Sequence, residues 1–147
     1  MLGLTFLSAS IWLILLLLPW RPWSTKECLV RTPTSNSQSK TISALIPARD
    51  ESQHIERTLR ALSCQECLKN IIVVDDQSTD GTGIIVETLN LSNVLLINGE
   101  DPPDGWTGKL WALQQGLPYI SSELLLLLDA DIALEQGALV ALLLKQK

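Results

Sequence analysis

The sequence predicts an α/β fold in which a parallel, open β-sheet with flanking helices is preceded by an N-terminal transmembrane helix. Three observations favour this fold class. Short apolar runs alternate with helical patterns from residue 41 onward, as in the repeated strand–helix units of a parallel sheet. The runs IIVV (71–74) and LLLLL (124–128) contain no polar residue, which is typical of strands buried on both faces. A long uncharged segment, residues 2–20, precedes this region.

The uncharged segment at residues 2–20 is interpreted as a retained membrane anchor. About 19 helical residues extend roughly 28 Å, which is close to the ~30 Å hydrocarbon thickness of a bilayer. A cleaved signal peptide and a buried helix are the alternatives. A signal peptide normally begins with basic residues, and no Lys or Arg precedes this apolar run. Trp20 and Trp23 are expected at the membrane interface, where amphipathic rings are favoured.

Positive charges after the anchor predict its orientation. The cations that follow it are Arg21, Lys26, Arg31 and Lys40. By the positive-inside rule, the rest of the chain then lies on the cytoplasmic side of the membrane. Residues 24–40 are polar and rich in Ser and Thr, as in a linker. The predicted organisation is therefore an anchor at 1–23, a linker at 24–40 and a folded domain at 41–147.

Four strands and four helices are predicted within the domain. Residues 51–62 have apolar residues at helical spacing, residues 80–90 begin with helix-capping residues, and each strand is a short apolar run. The strands are 41–47, 70–76, 93–98 and 123–129. The helices are 51–62, 80–90, 107–117 and 135–147.

Composition excludes some classes of function. The chain of 147 residues has a formal net charge of −5 and a pI near 4.7, which argues against binding to a nucleic-acid backbone. A small phosphorylated ligand remains possible, because a few local cations or a metal ion suffice for it. The pair Cys64 and Cys67 lacks a second pair, and His54 is the single histidine, so a zinc site is not expected. We interpret the two cysteines as helix residues one turn apart.

Polar residues follow three of the apolar runs, at the points where the predicted strands end. Asp75 and Asp76 follow the second strand, Asp129 and Asp131 follow the fourth, and residues 47–51 follow the first. Ligands of open parallel sheets bind beyond the carboxyl ends of the strands. We therefore expect these residues to meet at one ligand crevice.

The pair Asp129 and Asp131 predicts a divalent cation site. Two bare carboxylates ~4 Å apart repel by roughly 4 kcal/mol at an effective dielectric near 20, whereas a cation between them makes the interaction attractive. Hard oxygen ligands suit Mg²⁺ or Mn²⁺, which proteins often hold by one or two carboxylates plus substrate phosphates. The alternative is that the pair caps a turn or helix, although one aspartate would suffice for that.

Two phosphate-binding motifs are absent from the sequence. PDGWTGKL (103–110) lacks the first glycine and the final Ser or Thr of a Walker A loop, and GTGIIV (81–86) lacks the third glycine of a dinucleotide-binding loop. In VVDDQSTDGT (73–82), Ser78, Thr79 and Asp80 are expected to cap the following helix. Capping does not explain the two consecutive aspartates before them, which could accept hydrogen bonds from a base or a ribose.

Four blocks, in this order, resemble family 2 glycosyltransferases, which have the GT-A fold with a Rossmann-like nucleotide-binding half. They are SALIPARDE (43–51), VVDDQSTDGT, GWTGKLWALQQGL (105–117) and LLLLLDADI (124–132). The second is similar to the VDDxSxDGT pattern of that family and the fourth to its DxD strand. The segment PPDGWTGKLWA (102–112) is most similar to hopene-associated glycosyltransferases, which would imply a lipid acceptor such as a hopanoid.

The resemblance implies a role for each matching residue. Pro47, Ala48 and Glu51 would line the nucleotide pocket, and Asp76 would bind the base, often uracil. Lys109 would lie near the nucleotide-sugar. These residues would hold a UDP-sugar donor for transfer to an acceptor.

The DxD residues complete the set. Asp129 would contact the ribose or the metal, and Asp131 would coordinate the Mg²⁺ or Mn²⁺ that bridges the diphosphate. Such a cation would act as a Lewis acid on the leaving nucleoside diphosphate.

The sequence departs from the family in two places and in length. Asp50 stands where Asn is common, and Gln115 replaces a usual Asn. The family places its acceptor site and catalytic base after the DxD, whereas only residues 132–147 follow Asp131. No catalytic base is identified, so we expect the donor-binding half of a longer enzyme, a split gene product or a degenerate copy. A missing C-terminal half or a partner subunit would then complete the enzyme.

Two other functions are compatible with parts of the sequence. An inactive, membrane-anchored nucleotide-sugar binder would share the same donor residues. A phosphatase of the haloacid dehalogenase class also has an apolar strand ending in DxD, with Asp129 as the nucleophile. That motif normally continues with Thr or Val and opens its domain, whereas here Ala133 follows and three strand–helix units come first.

Overall fold

The computed structural model describes residues 2–17 and 41–145. The chain divides into two compact units, with the division after residue 30. The predicted linker at 24–40, the tryptophans Trp20 and Trp23 and the four basic residues after the anchor lie outside the described residues. The predicted domain boundaries and the cytoplasmic location therefore stay predictions.

The N-terminal helix, α1, is described over Leu2–Leu17. Within residues 2–17 and 41–145, no helix is long and apolar enough to cross a membrane. The transmembrane helix predicted at residues 2–20 is thus not supported by the part of the chain that the structure describes.

The second unit alternates strands and helices, as predicted. The strands are β1 (Ile42–Ala48), β2 (Leu68–Asp75), β3 (Val94–Asn98) and β4 (Leu124–Leu127). The helices are α2 (Ile55–Ser63), α3 (Thr82–Leu89), α4 (Gly108–Gly116) and α5 (Ala138–Lys145). All strand pairs are parallel, and the sheet order is β3-β2-β1-β4. The prediction of an open parallel sheet with flanking helices is confirmed.

The two faces of the sheet carry separate apolar clusters. On one face, alternate residues of β1 and β2 such as Ile46 and Val73 pack with Leu59 of α2 in the larger cluster. On the other face, Leu45 and its neighbours on β2 pack against α4 in the smaller cluster. The central strands β1 and β2 are therefore covered on both sides, which explains why they contain almost no exposed residue.

The prediction for the leucine run is wrong in one respect. β4 pairs with β1 alone and forms an edge of the described sheet, rather than a central strand covered on both faces. Leu124 and Leu126 pack against the larger cluster, whereas Leu125 and Leu127 are 38% and 56% exposed. The reason is that α4 contacts β1 and β2 on that face, and hydrophobicity alone does not reveal the place of a strand in its sheet.

The two cysteines also differ from the prediction. Helix α2 ends at Ser63, so Cys64 follows the helix and Cys67 directly precedes β2. Both are free thiols in the turn between these elements. Partial burial raises the pKa of the Cys67 thiol, which favours the protonated, less reactive form.

Candidate functional site

The sheet order creates a crevice between two strand ends. The chain runs from β1 to β2 and β3 on one side, and β4 lies on the other side of β1. Such a reversal of strand order is the point at which open α/β sheets bind ligands, beyond the carboxyl ends of the strands. The segments that leave β1 and β4 therefore flank the expected ligand position.

A cavity of about 410 Å³ lies at this point. All seven residues predicted for donor and metal binding line it, namely Pro47, Ala48, Glu51, Asp76, Lys109, Asp129 and Asp131. The other lining residues are Arg49, Gly108 and Ala130. The structure thus brings the predicted residues together, while their individual roles stay predictions.

Asp76 is the buried carboxylate of the cavity. The residue is 5% exposed, and its backbone N–H donates a hydrogen bond of 2.8 Å to the carbonyl oxygen of Ala48. Its Oδ2 lies 3.5 Å from Nη1 of Arg49, whose side chain is largely exposed. A Cβ on Gly108 would lie 2.6 Å from the same oxygen, so α4 can begin this close to Asp76 only with glycine at its first position.

Sequence reasoning missed Arg49. Its signal was present, because Arg49 stands between two predicted pocket residues, Ala48 and Glu51. Its importance depends on its distance to Asp76, which is 27 positions further along the chain, and local patterns do not reveal such a pairing.

Lys109 and Asp129 form the second ion pair of the cavity. Lys109 Nζ donates a hydrogen bond of 2.7 Å to Asp129 Oδ1, and both side chains are about 60% exposed. Lys109 belongs to the first turn of α4, whereas Asp129 follows β4. An exposed pair of this kind contributes little stability, about 0.2–1 kcal/mol, so it can exchange partners readily.

The carboxylates of the cavity suit a weakly held hard cation. Within the described ranges no three His, Cys, Asp or Glu residues are grouped closely enough to hold a metal ion together. Asp129 and Asp131 nevertheless line one cavity and offer hard oxygen atoms. Mg²⁺ and Mn²⁺ sites built from one or two carboxylates take the remaining ligands from water and substrate phosphates, and these residues fit that arrangement.

The two aspartates at the carboxyl end of β2, Asp75 and Asp76, serve different purposes. Oδ1 of Asp75 accepts a hydrogen bond of 3.0 Å from the N–H of Ser78, and Asp75 lines a separate cavity of about 290 Å³. A Cβ on Gly83 would lie 2.6 Å from Oδ2 of Asp75. Asp75 therefore shapes the loop between β2 and α3, while Asp76 alone faces the larger cavity.

Hydrogen bonds between two loops fix the residues after β1. The backbone N–H of Asp50 donates to Ser78 Oγ at 2.9 Å, and that of Glu51 donates to Thr82 Oγ1 at 2.8 Å. Asp50 adopts a positive φ of 54°. In return, the N–H of Thr79 donates to Asp50 Oδ1 at 2.8 Å. Polar residues after β2 thus hold the β1 loop in place.

Asp80 is the centre of this connection. Its carboxylate accepts hydrogen bonds from Thr82 Oγ1 at 2.6 Å, from the Thr82 N–H at 3.0 Å and from the Ser52 N–H at 2.8 Å. The Thr82 hydroxyl is the main reason that the pKa of Asp80 is well below its usual range. The predicted helix cap differs in detail, because the N-cap position of α3 is Gly81, with a φ of 90°.

Comparison with known proteins identifies a sequence family for most of this unit. The family described as "Glycosyl transferase family 2" matches residues 43–146. A 4,4'-diaponeurosporenoate glycosyltransferase of Staphylococcus haemolyticus is 33% identical over 65% of the chain and 25% of that protein. The enzyme of the same name from Staphylococcus aureus strain N315 is 30% identical over 80% of the chain and 31% of that protein.

Solved structures have the same fold. S. aureus TarS 1–349 has a TM-score of 0.59 and 27% identity, covering 71% of the chain and 31% of TarS, and a structure of it in complex with UDP has a TM-score of 0.58. The mannosyltransferase PcManGT from Pyrobaculum calidifontis, in complex with GDP-Man and Mn²⁺, has a TM-score of 0.58 and 25% identity over the same shares. The chain spans a quarter to a third of the length of these relatives.

Proposed function

The chain belongs to glycosyl transferase family 2, and we propose that its cavity binds the nucleotide-sugar donor, with UDP as the nucleotide. The observation that carries this proposal is the convergence of the seven predicted donor and metal residues on one cavity at the switch point of the sheet. Because the chain spans a quarter to a third of its relatives, glycosyl transfer itself is proposed only for a whole enzyme that contains this unit. Donor binding without transfer is the alternative, since no residue of the cavity is assigned as catalytic base.

The charge of the cavity supports a divalent cation as cofactor. Four carboxylates and two cations line it, which gives a formal charge of −2. An anionic diphosphate entering such a site needs a counter-ion, and Asp129 and Asp131 supply oxygen ligands of the kind that Mg²⁺ and Mn²⁺ prefer. The bound Mn²⁺ in the structure of PcManGT supports the same cofactor. When bound, the cation would stabilise negative charge on the leaving nucleoside diphosphate.

Other residues that line the cavity would bind the remaining parts of the donor. Asp76 would accept a hydrogen bond from an N–H of the base, because its carboxylate is buried in the cavity and accepts no hydrogen bond from the described residues. Lys109 would bind a phosphate oxygen, because its ammonium group is exposed at the cavity wall. Pro47, Ala48 and Glu51 would enclose the nucleotide from the β1 side.

We also propose that the acceptor of the whole enzyme is lipid-like and lies at a membrane. It is supported by the name of the curated relatives, 4,4'-diaponeurosporenoate glycosyltransferase, and by the uncharged sequence of α1. The narrower resemblance to hopene-associated enzymes is not supported by these relatives, so a hopanoid acceptor remains one candidate within the class. The phosphatase alternative has no support from the family match.

Calorimetric titration of UDP with and without Mn²⁺ tests the donor site. We expect Mn²⁺-dependent binding, and we expect Asp131→Asn to weaken it at least tenfold, since one ligand charge is removed next to the cation. Glu123→Gln is the matched control, because Glu123 is also an exposed carboxylate but precedes β4, at the opposite edge of the sheet. It should leave UDP affinity unchanged.

Two results would overturn the proposal or part of it. A folded wild-type chain that binds no UDP in either condition would contradict the donor site itself. Equal Mn²⁺-dependent affinity for wild type and Asp131→Asn would contradict the metal assignment while leaving the nucleotide site intact.

A further inference from the structure

The two cations of the cavity are already paired with its carboxylates. Arg49 lies against Asp76, and Lys109 donates its 2.7 Å hydrogen bond to Asp129. The pair Lys109–Asp129 is the one that involves a proposed metal ligand. In this arrangement an ammonium group occupies one oxygen of the carboxylate that the divalent cation would use.

We propose that Lys109 and the divalent cation compete for Asp129, and that nucleotide binding resolves this competition. The inference rests on the proposed function, and it concerns the order in which the same site is filled. The diphosphate gives Lys109 a new anionic partner, so that Asp129 becomes available to the cation. Lys109 is therefore a positioning residue that couples the affinity for metal to the affinity for nucleotide.

The geometry favours an exchange over a fixed pair. Both side chains are about 60% exposed, so neither is held in place by burial and both can reorient in solvent. Lys109 carries its ammonium group on a flexible stem, whereas Asp129 lies beside the strand end. The pair joins a helix to a strand end, because Lys109 belongs to α4 and Asp129 follows β4.

The competition has a definite thermodynamic sign. With Lys109 present, a cation binding alone must displace the ammonium group and then bind near its positive charge. Loss of the lysine removes both costs, so Lys109→Met should raise the affinity of the nucleotide-free chain for Mn²⁺. Loss of an exposed ion pair worth about 0.2–1 kcal/mol corresponds to a rise in Mn²⁺ affinity of roughly 1.4- to 5-fold. Relief of the charge repulsion increases the Mn²⁺ affinity further. The same variant should bind UDP more weakly when no metal is present.

Coupling between ligands is reciprocal, which gives a second measurement. If UDP raises Mn²⁺ affinity by some factor, Mn²⁺ must raise UDP affinity by the same factor. We expect this factor to be smaller in Lys109→Met than in wild type, because the competition that the nucleotide relieves is already gone. A lysine that only supported the fold could not raise metal affinity when removed.

The experiment measures free Mn²⁺ by electron paramagnetic resonance, with the 147-residue chain, in the absence and presence of UDP. Wild type is compared with Lys109→Met, with Lys109→Arg, which retains a cation, and with Asp131→Asn, which reports that the ion occupies this site. Lys69→Met is the matched control, because Lys69 is an exposed lysine near the amino end of β2, at the opposite edge of the sheet. It should change neither affinity.

A higher Mn²⁺ affinity of Lys109→Met without nucleotide, together with weaker metal-free UDP binding, would support the exchange. Unchanged or lower Mn²⁺ affinity would overturn it, even where wild type binds UDP and Mn²⁺ as proposed. Failure of wild type to bind UDP at all would overturn the proposed function, and the exchange with it.

Discussion

Gly108 should be required for nucleotide binding rather than for folding. A Cβ at this position would lie 2.6 Å from Oδ2 of Asp76, and ordinary contact begins near 3.4 Å, so Gly108→Ala must move the carboxylate or the start of α4 by about 0.8 Å. Asp76 is 5% exposed and has little room to yield. A hydrogen bond to a charged group is worth about 1.5–3 kcal/mol, so its loss lowers UDP affinity roughly 10- to 150-fold.

The effect of Gly108→Ala on stability should be small. Alanine forms helices better than glycine by up to about 1 kcal/mol, which offsets part of a crowding cost of about 1–3 kcal/mol. UDP affinity is measured by calorimetry and the free energy of unfolding by urea denaturation. Wild-type UDP affinity in a folded Gly108→Ala chain would refute the assignment of Asp76 to the nucleotide site.

Gly105→Ala is the matched control, because it removes a glycine three residues before Gly108, in the loop that precedes α4, with the opposite consequence. Gly105 has a φ of 88°, and a Cβ added there would meet no heavy atom of the described residues within 4 Å, so alanine is strained but touches nothing. The left-handed conformation costs about 1–2 kcal/mol for a residue with a Cβ. We expect lower stability with UDP affinity unchanged within about threefold, a margin well below the roughly 10-fold loss predicted for Gly108→Ala.

Three further substitutions have defined outcomes. Arg49→Met should lower UDP affinity while changing unfolding free energy by less than about 1 kcal/mol, since Arg49 is largely exposed; a large loss of stability would show a structural role instead. Asp80→Asn should lower the melting temperature most at neutral pH. The pKa of Asp80 is lowered in the folded chain, so its contribution is present above the unfolded pKa of about 4 and is lost as pH falls toward the folded value. A difference between the two chains that persists unchanged in acid would contradict this. Gly116→Ala should lower the free energy of unfolding by about 1–3 kcal/mol, as measured by urea denaturation, because the added Cβ would overlap the buried side chain of Leu45. An unchanged free energy of unfolding would mean that α4 can shift freely.

The fold was predictable because its local signals agree. β1 and β2 end within one residue of the predicted positions, and their coverage on both faces agrees with the unbroken apolar runs 44–48 and 71–74. The same reasoning misplaced β4, because a run of leucines has the same pattern at the centre and at the edge of a sheet. The position of β4 beside β1 is a long-range property, fixed by pairs such as Leu45 with Leu127.

The candidate site was predictable to the extent that strand ends determine it. Parallel strands bring their carboxyl ends to one edge, so residues after β1, β2 and β4 had to lie near one another. Charge pairing could not be predicted, because Arg49 and Asp76 are separated along the chain by helix α2 and the whole of strand β2. The division of labour between Asp75 and Asp76 was also hidden, since adjacent residues at a strand end point in different directions and only one faces the cavity.

The residues that resemble helix caps in the sequence act mainly between loops. Asp80 joins its own helix start to Ser52, and Ser78 binds the backbone of Asp50, so the loop after β2 sets the conformation of the loop after β1. The loop after β1 places Arg49 and Glu51 at the wall of the cavity. A hydrogen-bonded loop is more rigid than one held by solvent, and rigid placement lowers the entropy cost of ligand binding. The motif after β2 therefore contributes to the proposed donor site twice, directly through Asp76 and indirectly through the residues that hold the β1 loop.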